Sequence, residues 1–344
     1  MRRRASWLWL LGLGVTLLIV ALVLGYHEWQ GRIHAVRPAV LSYMPAGGDT
    51  VIYADLTALR HSPFLARLLS LAPSAGMDAD YAGFVQATGF DYARDLDRAA
   101  LAVIGHGQRR VLFAVADGRF DYGKITAYAL KTGRREMIGG YELFRTPMSG
   151  ASKEATFSFL SPGRIALTDG QDMTAFVSFF TPQADNPGSQ PWHERFVRLA
   201  GSPVFLVSSL SASNGAMLAT RPASGFRSEQ LGTFAGSLRW GTVGLRPDGD
   251  ALRIVAEAEC ANDESASRLS DTASGLTLFA RAQLTDPKTQ RQLDPETLAA
   301  LEEMLRTVDI SRIDRGETKG VRLVFSVTTR VLDAAARLNR TPGQ

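Results

Sequence analysis

The sequence predicts an α+β domain carried behind one N-terminal transmembrane helix. Three observations support this prediction. A long apolar segment without charged residues spans residues 5–26. Downstream, short segments that alternate apolar and polar residues between turn residues predict antiparallel strands, mostly joined as hairpins. Longer segments with apolar residues at helical spacing predict helices that cover one face of the sheet, which is an α+β arrangement.

The segment Ala5–Tyr26 has the length of a membrane span. About 20 apolar residues in a helix cross the hydrocarbon core of a bilayer, roughly 30 Å thick. Arg2, Arg3 and Arg4 precede the span and favour a cytoplasmic N-terminus. The alternative is a cleaved signal peptide, but the apolar segment is long for one and residues 25–28 offer no small-x-small cleavage site. Either way, we expect the rest of the chain to lie outside the cytoplasm, held at the inner membrane if the anchor is retained.

Turn residues divide the remainder of the chain into candidate regions. After a cytoplasmic tip and anchor at 1–27, residues 28–48 read as a stalk punctuated by Pro38, Pro45 and Gly47–Gly48. A first α+β half is predicted at 49–180 and a second at 192–344. The segment 181–191, rich in proline and polar residues, is the predicted linker between them.

Each half is predicted to contain both strands and helices. In the first half, strands are predicted at 50–56, 99–104, 110–116, 141–145, 155–160 and 164–168, and helices at 63–72, 78–89, 122–131 and 173–180. In the second half, helices are predicted at 263–275 and from Asp294 onward, where Asp-Pro-Glu opens a segment with an apolar face.

The second half repeats the scheme of the first, which predicts an internal duplication. Residues 204–212 align with 51–58, and residues 242–243 followed by 252–257 align with 102–103 followed by 112–117. Each half ends on a predicted strand and helix, at 164–180 and at 321–338.

Three of these segments carry a family resemblance. The strand 50–56 (TVIYADL), the Ala-Leu-Arg-x-Ser-Pro segment at 58–63 and the Gly-Arg-Phe-Asp turn at 118–121 resemble membrane-anchored bacterial proteins related to a DUF3352-like domain of unknown function. The resemblance covers roughly residues 45–180. It implies a bacterial envelope protein and implies no activity.

The segment Gly118–Ile125 has the Gly-x4-Gly-Lys spacing of a phosphate-binding loop. Two features argue against that function. Ile125 stands where the loop needs a magnesium-binding hydroxyl, and Arg119, Phe120 and Tyr122 fill positions that favour small residues. The sequence instead predicts a helix entry in which Phe120 packs inward and Asp121 caps the helix.

Other candidate chemistries are also weak. His193-Glu194 lacks the second histidine of a zinc motif, because Val197 occupies that position. The carboxylates Asp169, Asp172, Glu257 and Glu259 read as solvated strand ends. Cys260, the sole cysteine, alternates with alanines on a strand, which favours a buried thiol over an interchain disulfide. No residue is therefore assigned to catalysis, a cofactor or a metal.

Composition narrows the function further. The formal charge is +4, but Arg2–Arg4 supply three of those units, so the rest of the chain is nearly neutral and is not expected to bind nucleic acid. The sequence therefore predicts a non-catalytic module, tethered to the membrane through residues 5–26, that binds an envelope protein, a lipid or a cell-wall component. An extracytoplasmic hydrolase whose site is assembled from separate loops is the alternative.

Overall fold

A single antiparallel sheet organises the part of the chain that the computed structural model describes, namely residues 39–71, 79–105, 110–147, 154–182, 191–199, 201–210 and 237–340. The predicted anchor and most of the predicted linker lie outside these residues. Within them, no helix is both long and apolar enough to cross a bilayer. The mixture of helices and an antiparallel sheet confirms the α+β prediction.

The elements follow in chain order. The strands are β1 (Thr50–Asp55), β2 (Leu96–Ile104), β3 (Val111–Gly118), β4 (Arg134–Ile138), β5 (Tyr141–Pro147), β6 (Glu154–Ser161), β7 (Arg164–Thr168), β8 (Val204–Ser209), β9 (Leu238–Asp248), β10 (Ala251–Cys260), β11 (Asp309–Arg315) and β12 (Thr318–Thr328). The helices are α1 (Leu56–Arg60), α2 (Pro63–Leu71), α3 (Ala79–Thr88), α4 (Tyr92–Asp95), α5 (Tyr122–Ala129), α6 (Met173–Ser178), α7 (Pro191–Arg198), α8 (Asp263–Thr285), α9 (Pro287–Gln292), α10 (Pro295–Arg306) and α11 (Thr329–Arg340). A 3-10 helix, Ala39–Tyr43, precedes β1.

Strands β1 and β8 lie side by side near the middle of the sheet, whose order is β11-β12-β10-β9-β8-β1-β2-β3-β7-β6-β5-β4. Outward from this pair, one side runs through β2 and β3 to β7 and β6. The other side runs through β9 and β10 to β12 and β11. The two sides follow one connection scheme, and the first half adds the hairpin β4–β5 at its edge.

The central pair joins the two halves through apolar side chains. Tyr53 of β1 lies opposite Phe205 of β8, with ring centroids 5.3 Å apart. Along β1, Val51 and Tyr53 are buried while their neighbours are partly exposed, as expected from the two-residue period of a strand. We call the side of the sheet that carries Tyr53 and Phe205 the Tyr53 face.

Helices cover both faces of the sheet, so the expectation of helices on one face is wrong. Phe113, on the Tyr53 face, contacts Phe176 of α6. Phe159, whose partner Ile165 lies on the opposite face, contacts Tyr122 of α5. Alternate residues of a strand point to opposite faces, and both faces of this sheet carry large apolar residues that must be covered.

The predicted stalk extends too far along the chain. Val40, Leu41 and Met44 are fully buried and pack into the core that also contains Val51. The folded unit therefore begins at Ala39 rather than after residue 48. An apolar cluster in a short 3-10 helix covers the sheet here, where proline and glycine alone suggested an extended stalk.

Aspartates begin several helices, and two of them, Asp121 and Asp294, do so as predicted. The carboxylates of Asp55, Asp121, Asp172 and Asp294 accept hydrogen bonds from backbone N–H groups three residues later, at 2.9–3.0 Å. Such caps satisfy N–H groups that have no partner inside the helix. Helix α8 differs from its prediction, because it continues ten residues beyond Gly275 to Thr285.

Candidate functional site

Helix α7 lies on the Tyr53 face and brings two arginines to the sheet. Its buried apolar residues are Trp192 and Phe196, followed by Leu199 directly after the helix, and the ring of Phe196 packs on Phe205 with centroids 4.8 Å apart. This matches the predicted apolar side of the helix. Arg195 and Arg198, one turn apart, also point toward the sheet, and their side chains are only 12% and 15% exposed.

The two arginines meet two glutamates of β10. Arg198 Nε donates to Glu257 Oε2 at 3.1 Å, while Arg198 and Arg195 each bond to Glu259 through a terminal nitrogen. The glutamate side chains are 1% and 5% exposed. The prediction that these carboxylates are solvated strand ends is therefore wrong, because their partners come from a helix about sixty residues earlier.

The surroundings complete the neutralisation of this cluster. Arg315 and Arg322 lie 3.7 and 3.8 Å from the carboxylate of Glu257, and the guanidinium of Arg195 stacks over Trp240 at 4.1 Å. Buried carboxylates persist when opposite charges and hydrogen bonds compensate their lost hydration. The geometry therefore fixes α7 on β10, and the carboxylates are engaged in ion pairs rather than presented to a substrate.

The segment Gly118–Ile125, which has the spacing of a phosphate-binding loop, forms a structural turn. The ring of Phe120 stacks on Phe90 at 5.3 Å and meets Phe159 edge-on, while Asp121 caps α5. A Cβ on Gly118 would stand 2.5 Å from the carbonyl oxygen of Asp95, so this glycine permits close backbone approach. Lys124 is exposed and pairs with Asp121. The backbone hydrogen bond from Lys124 is the main cause that lowers the pKa of Asp121. Both predicted roles, the inward Phe120 and the capping Asp121, are confirmed.

The remaining sequence candidates take part in structural contacts. Asp172 caps α6, and Asp169 accepts a hydrogen bond from the backbone N–H of Leu112 at 2.7 Å. The ring of His193 lies beside Trp192 and Phe196. Cys260 is 3% exposed, and burial raises the pKa of its thiol, which confirms the prediction of a buried cysteine.

Sequence reasoning missed an exposed apolar surface on α8. Leu276, Leu278 and Phe279 are 43%, 64% and 62% exposed. Gly275 and Ala282, also exposed, share the helix side of Leu278 and Phe279 at the three- and four-residue spacing of an α-helix. We call these five residues, Gly275, Leu276, Leu278, Phe279 and Ala282, the α8 ridge. The clustering of apolar residues after Gly275 is visible in the sequence, but which side faces solvent is not.

A surface cavity of about 200 Å³ lies between the C-terminal part of α8 and α10. Leu284 and Leu305 provide apolar lining, and Arg281, Glu302 and Arg306 provide charged groups of both signs. Arg281 also donates to the carbonyl oxygen of Leu305 at 2.7 Å, which ties the two helices together. The cavity thus lies at the C-terminal end of α8, beyond the ridge, and its lining shares no residue with the ridge.

Comparisons with known proteins show only a distant likeness. No protein-family model and no curated protein matches the sequence. Crystal form I of TP0453 is similar with 12% identity and a TM-score of 0.43, over 88% of this chain and 98% of that chain. Crystal form IV of TP0453 is similar with 11% identity and a TM-score of 0.44, over 88% and 96% of the two chains.

Proposed function

We propose that the protein is a membrane-tethered, non-catalytic envelope module that docks a partner on the α8 ridge. The exposure of Leu278 and Phe279 on one helix is the observation that carries this proposal. Isolated exposed apolar residues are common, but a contiguous apolar surface rimmed by polar residues is typical of an interaction site. The candidate partners are a protein, a lipid or a cell-wall component of the envelope.

The tether follows from the predicted anchor. Residues 27–38 separate the end of the predicted span from Ala39, where the folded unit begins. Twelve residues of any conformation span at most about 40 Å, at roughly 3.3–3.6 Å each. The domain would thus stay near the outer surface of the inner membrane, in the periplasm or its equivalent. The resemblance to DUF3352-like proteins, which would place the chain in a bacterial envelope, stays a prediction.

We also propose that the domain arose by internal duplication. The shared order of strands on the two sides of the β1–β8 pair supports this origin. A helical segment also precedes each central strand on the Tyr53 face. The 3-10 helix before β1 brings Tyr43 to Arg164, and α7 before β8 brings Phe196 to Phe205.

The alternative, an extracytoplasmic hydrolase, has less support. A hydrolase needs a carboxylate, histidine or nucleophile directed at substrate. The buried carboxylates Glu257 and Glu259 are instead neutralised by arginines, and the ring of His193 packs beside aromatic side chains.

Photo-crosslinking in intact cells tests docking on the ridge. A photoreactive amino acid at Leu278 should give discrete adducts, whose masses report whether protein or lipid is bound. Met137 is the matched control, because it is as exposed as Leu278 (66% against 64%) but lies on the charged strand β4. Equal labelling at both positions, or none at Leu278, would contradict the proposal.

A reporter fused after Gln344 that is active only outside the cytoplasm tests the topology.

A further inference from the structure

The exposed side of α8 changes character along its length. Its first half presents Glu264, Arg268 and Asp271, and its second half presents the α8 ridge. Arg268 and Glu264 form an ion pair one turn apart, with both side chains about 70% exposed. At the far end stands Asp286, which precedes α9 but makes no capping hydrogen bond through its side chain.

This pattern is complementary to itself when two copies of α8 meet antiparallel. With Thr277 at the centre, Phe279 of one helix lies opposite Gly275 of the other. A large side chain thus meets a residue without one, and the space around a Cβ at Gly275 is open. Arg268 precedes Thr277 by nine residues and Asp286 follows it by nine, each about 13 Å from the centre at 1.5 Å per residue. The same arrangement therefore places each Arg268 opposite an Asp286 of the second copy.

We infer that a second copy of this chain docks on the α8 ridge, antiparallel and around a two-fold axis that crosses the ridge at the level of Thr277. A two-fold contact uses one surface twice, so the surface must match itself in shape and charge, as this one does. The inference rests on the proposed function and names the occupant of that site. A lipid surface fits less well, because helices that bind anionic membranes carry mainly basic residues beside their apolar side. Here Asp271 and Asp286 accompany Arg268 and Arg281.

The predicted anchor favours such a contact even if it is small. Two helix surfaces bury less area than a standard stable interface, so the isolated contact is expected to be weak. Chains held in one membrane at a similar height meet at a raised effective concentration. The contact should therefore be tested in the full chain in its native membrane.

Register-specific crosslinking tests the geometry. Chains with Gly275→Cys and chains with Phe279→Cys are expressed together in membranes and oxidised. A disulfide dimer is expected from the mixture, because positions 275 and 279 oppose each other. Either variant alone should give much less dimer, because identical positions are offset along the axis and disulfides need Cα atoms within about 7 Å. Met137→Cys, mixed with either variant, is the exposed control, and the buried Cys260 is common to all chains.

Charge reversal tests the predicted pair without changing the ridge itself. Arg268→Glu or Asp286→Arg should each lower the crosslinking yield of the mixture, roughly threefold to tenfold, because each places like charges opposite one another. Both changes in one chain should restore the yield. Equal losses in the single and double variants would mean that the two residues do not face each other and would overturn the antiparallel register.

The outcomes distinguish this inference from the proposed function. Register-specific disulfides together with rescue by the double reversal support a second copy. If no register-specific dimer forms while photo-crosslinking at Leu278 captures lipid or another protein, the second copy is wrong and docking on the ridge stands. If Leu278 gives no adduct of any kind and no dimer forms, both fail.

Discussion

The two halves of the sheet share a connection scheme but cover the Tyr53 face by different chemistry. One row of paired residues crosses each half from the central strand outward. In the first half the row is Tyr53, Ala100, Val115 and Ala166, all buried. In the second half it is Val207, Thr242, Glu257 and Arg322. The first half carries a charged row too, namely Asp55, Arg98, Asp117 and Arg164. Its Asp117 side chain is 19% exposed, whereas that of Glu257 is 1% exposed, so the halves differ in how deeply their charged residues are buried.

The covering helices match these rows. In the first half Phe113 receives two aromatic rings edge-on, from Phe176 of α6 at 6.0 Å and from the adjacent Phe179 at 5.0 Å. In the second half Arg195 and Arg198 of α7 pair with Glu257 and Glu259. Apolar contact tolerates small displacements, whereas charged hydrogen bonds lose strength when distance or angle changes. The ion pairs therefore fix the position of α7 on β10 more narrowly than packing alone.

This difference shows that one sheet topology can be covered in two ways with different energetic consequences. Replacing an entire buried ion cluster by apolar residues is often neutral or stabilising, whereas removing one partner leaves an uncompensated charge. The second half should therefore be the more sensitive of the two to single charge-removing substitutions.

The largest expected effect is that of Arg198→Met. This change leaves Glu257 and Glu259 buried with fewer partners, so the free energy of unfolding should fall by about 3–5 kcal/mol. Urea unfolding of the domain Ala39–Gln344 measures it. Adding Glu259→Gln to the variant should recover part of the loss, because one uncompensated charge is gone. Arg268→Met is the matched control, since it removes an exposed ion pair worth roughly 0–1 kcal/mol. A loss no larger than in this control would show that the cluster does not distinguish the two halves.

The rate of Cys260 labelling should show whether the loss of stability in Arg198→Met opens the region around β10. The thiol is buried at the end of β10, beside Glu259, so a thiol reagent should react slowly in the native state. A destabilisation of at least about 3 kcal/mol corresponds to more than a hundredfold increase in the open population. Arg198→Met should therefore accelerate labelling by about that factor. Phe176→Ala in the first half should accelerate the labelling of Cys260 only if both halves unfold as one unit. A small effect of Phe176→Ala on this rate would mean that the two halves unfold separately.

Alkaline titration examines the apolar centre that joins the halves. Burial, followed by the charge of Asp55, raises the pKa of Tyr53 to about 12 from an ordinary value of 10.0. The folded state therefore retains the phenol proton more tightly than the unfolded state, and stability present below pH 10 is lost as the pH rises toward 12. Roughly 2–3 kcal/mol should be lost over this window, because one pKa unit is about 1.36 kcal/mol. In Tyr53→Phe the fall in stability between pH 10 and 12 should be smaller by that amount. An unchanged pH profile would mean that Tyr53 titrates normally.

Local signals in the sequence predict much of the fold. The bounds of β7 and the start of α10 agree with prediction, because alternation and an Asp-Pro-Glu cap are encoded within a few residues. Strands β4 and β11 were not predicted. Their sequences, RREMI and DISRIDR, are dominated by charged residues, which is how strands at the edge of a sheet avoid pairing with other chains.

The candidate sites were less predictable, because they depend on distant residues. Nothing near Glu257 in the chain indicates that Arg198 will reach it from another helix. Similarly, the apolar residues after Gly275 do not reveal that the sheet and α10 leave Leu278 exposed. Burial of a charge and exposure of an apolar residue are both tertiary outcomes, which local propensity does not encode.

The smallest expected effect concerns Lys124, whose ion pair is the exposed counterpart of the buried cluster. Its side chain is 61% exposed, so Lys124→Ala should change the free energy of unfolding by no more than roughly 0.5 kcal/mol. Asp121→Ala should cost more, because it removes the cap of α5 as well as the ion pair. The order of these two variants distinguishes a helix entry from a phosphate-binding loop.

In a phosphate loop, calorimetric titration with ATP and Mg²⁺ would show micromolar binding that Lys124→Ala abolishes while the fold survives. We expect that neither the unmodified chain nor Lys124→Ala binds ATP, since Phe120 packs between Phe90 and Phe159 and occupies the turn with an aromatic ring.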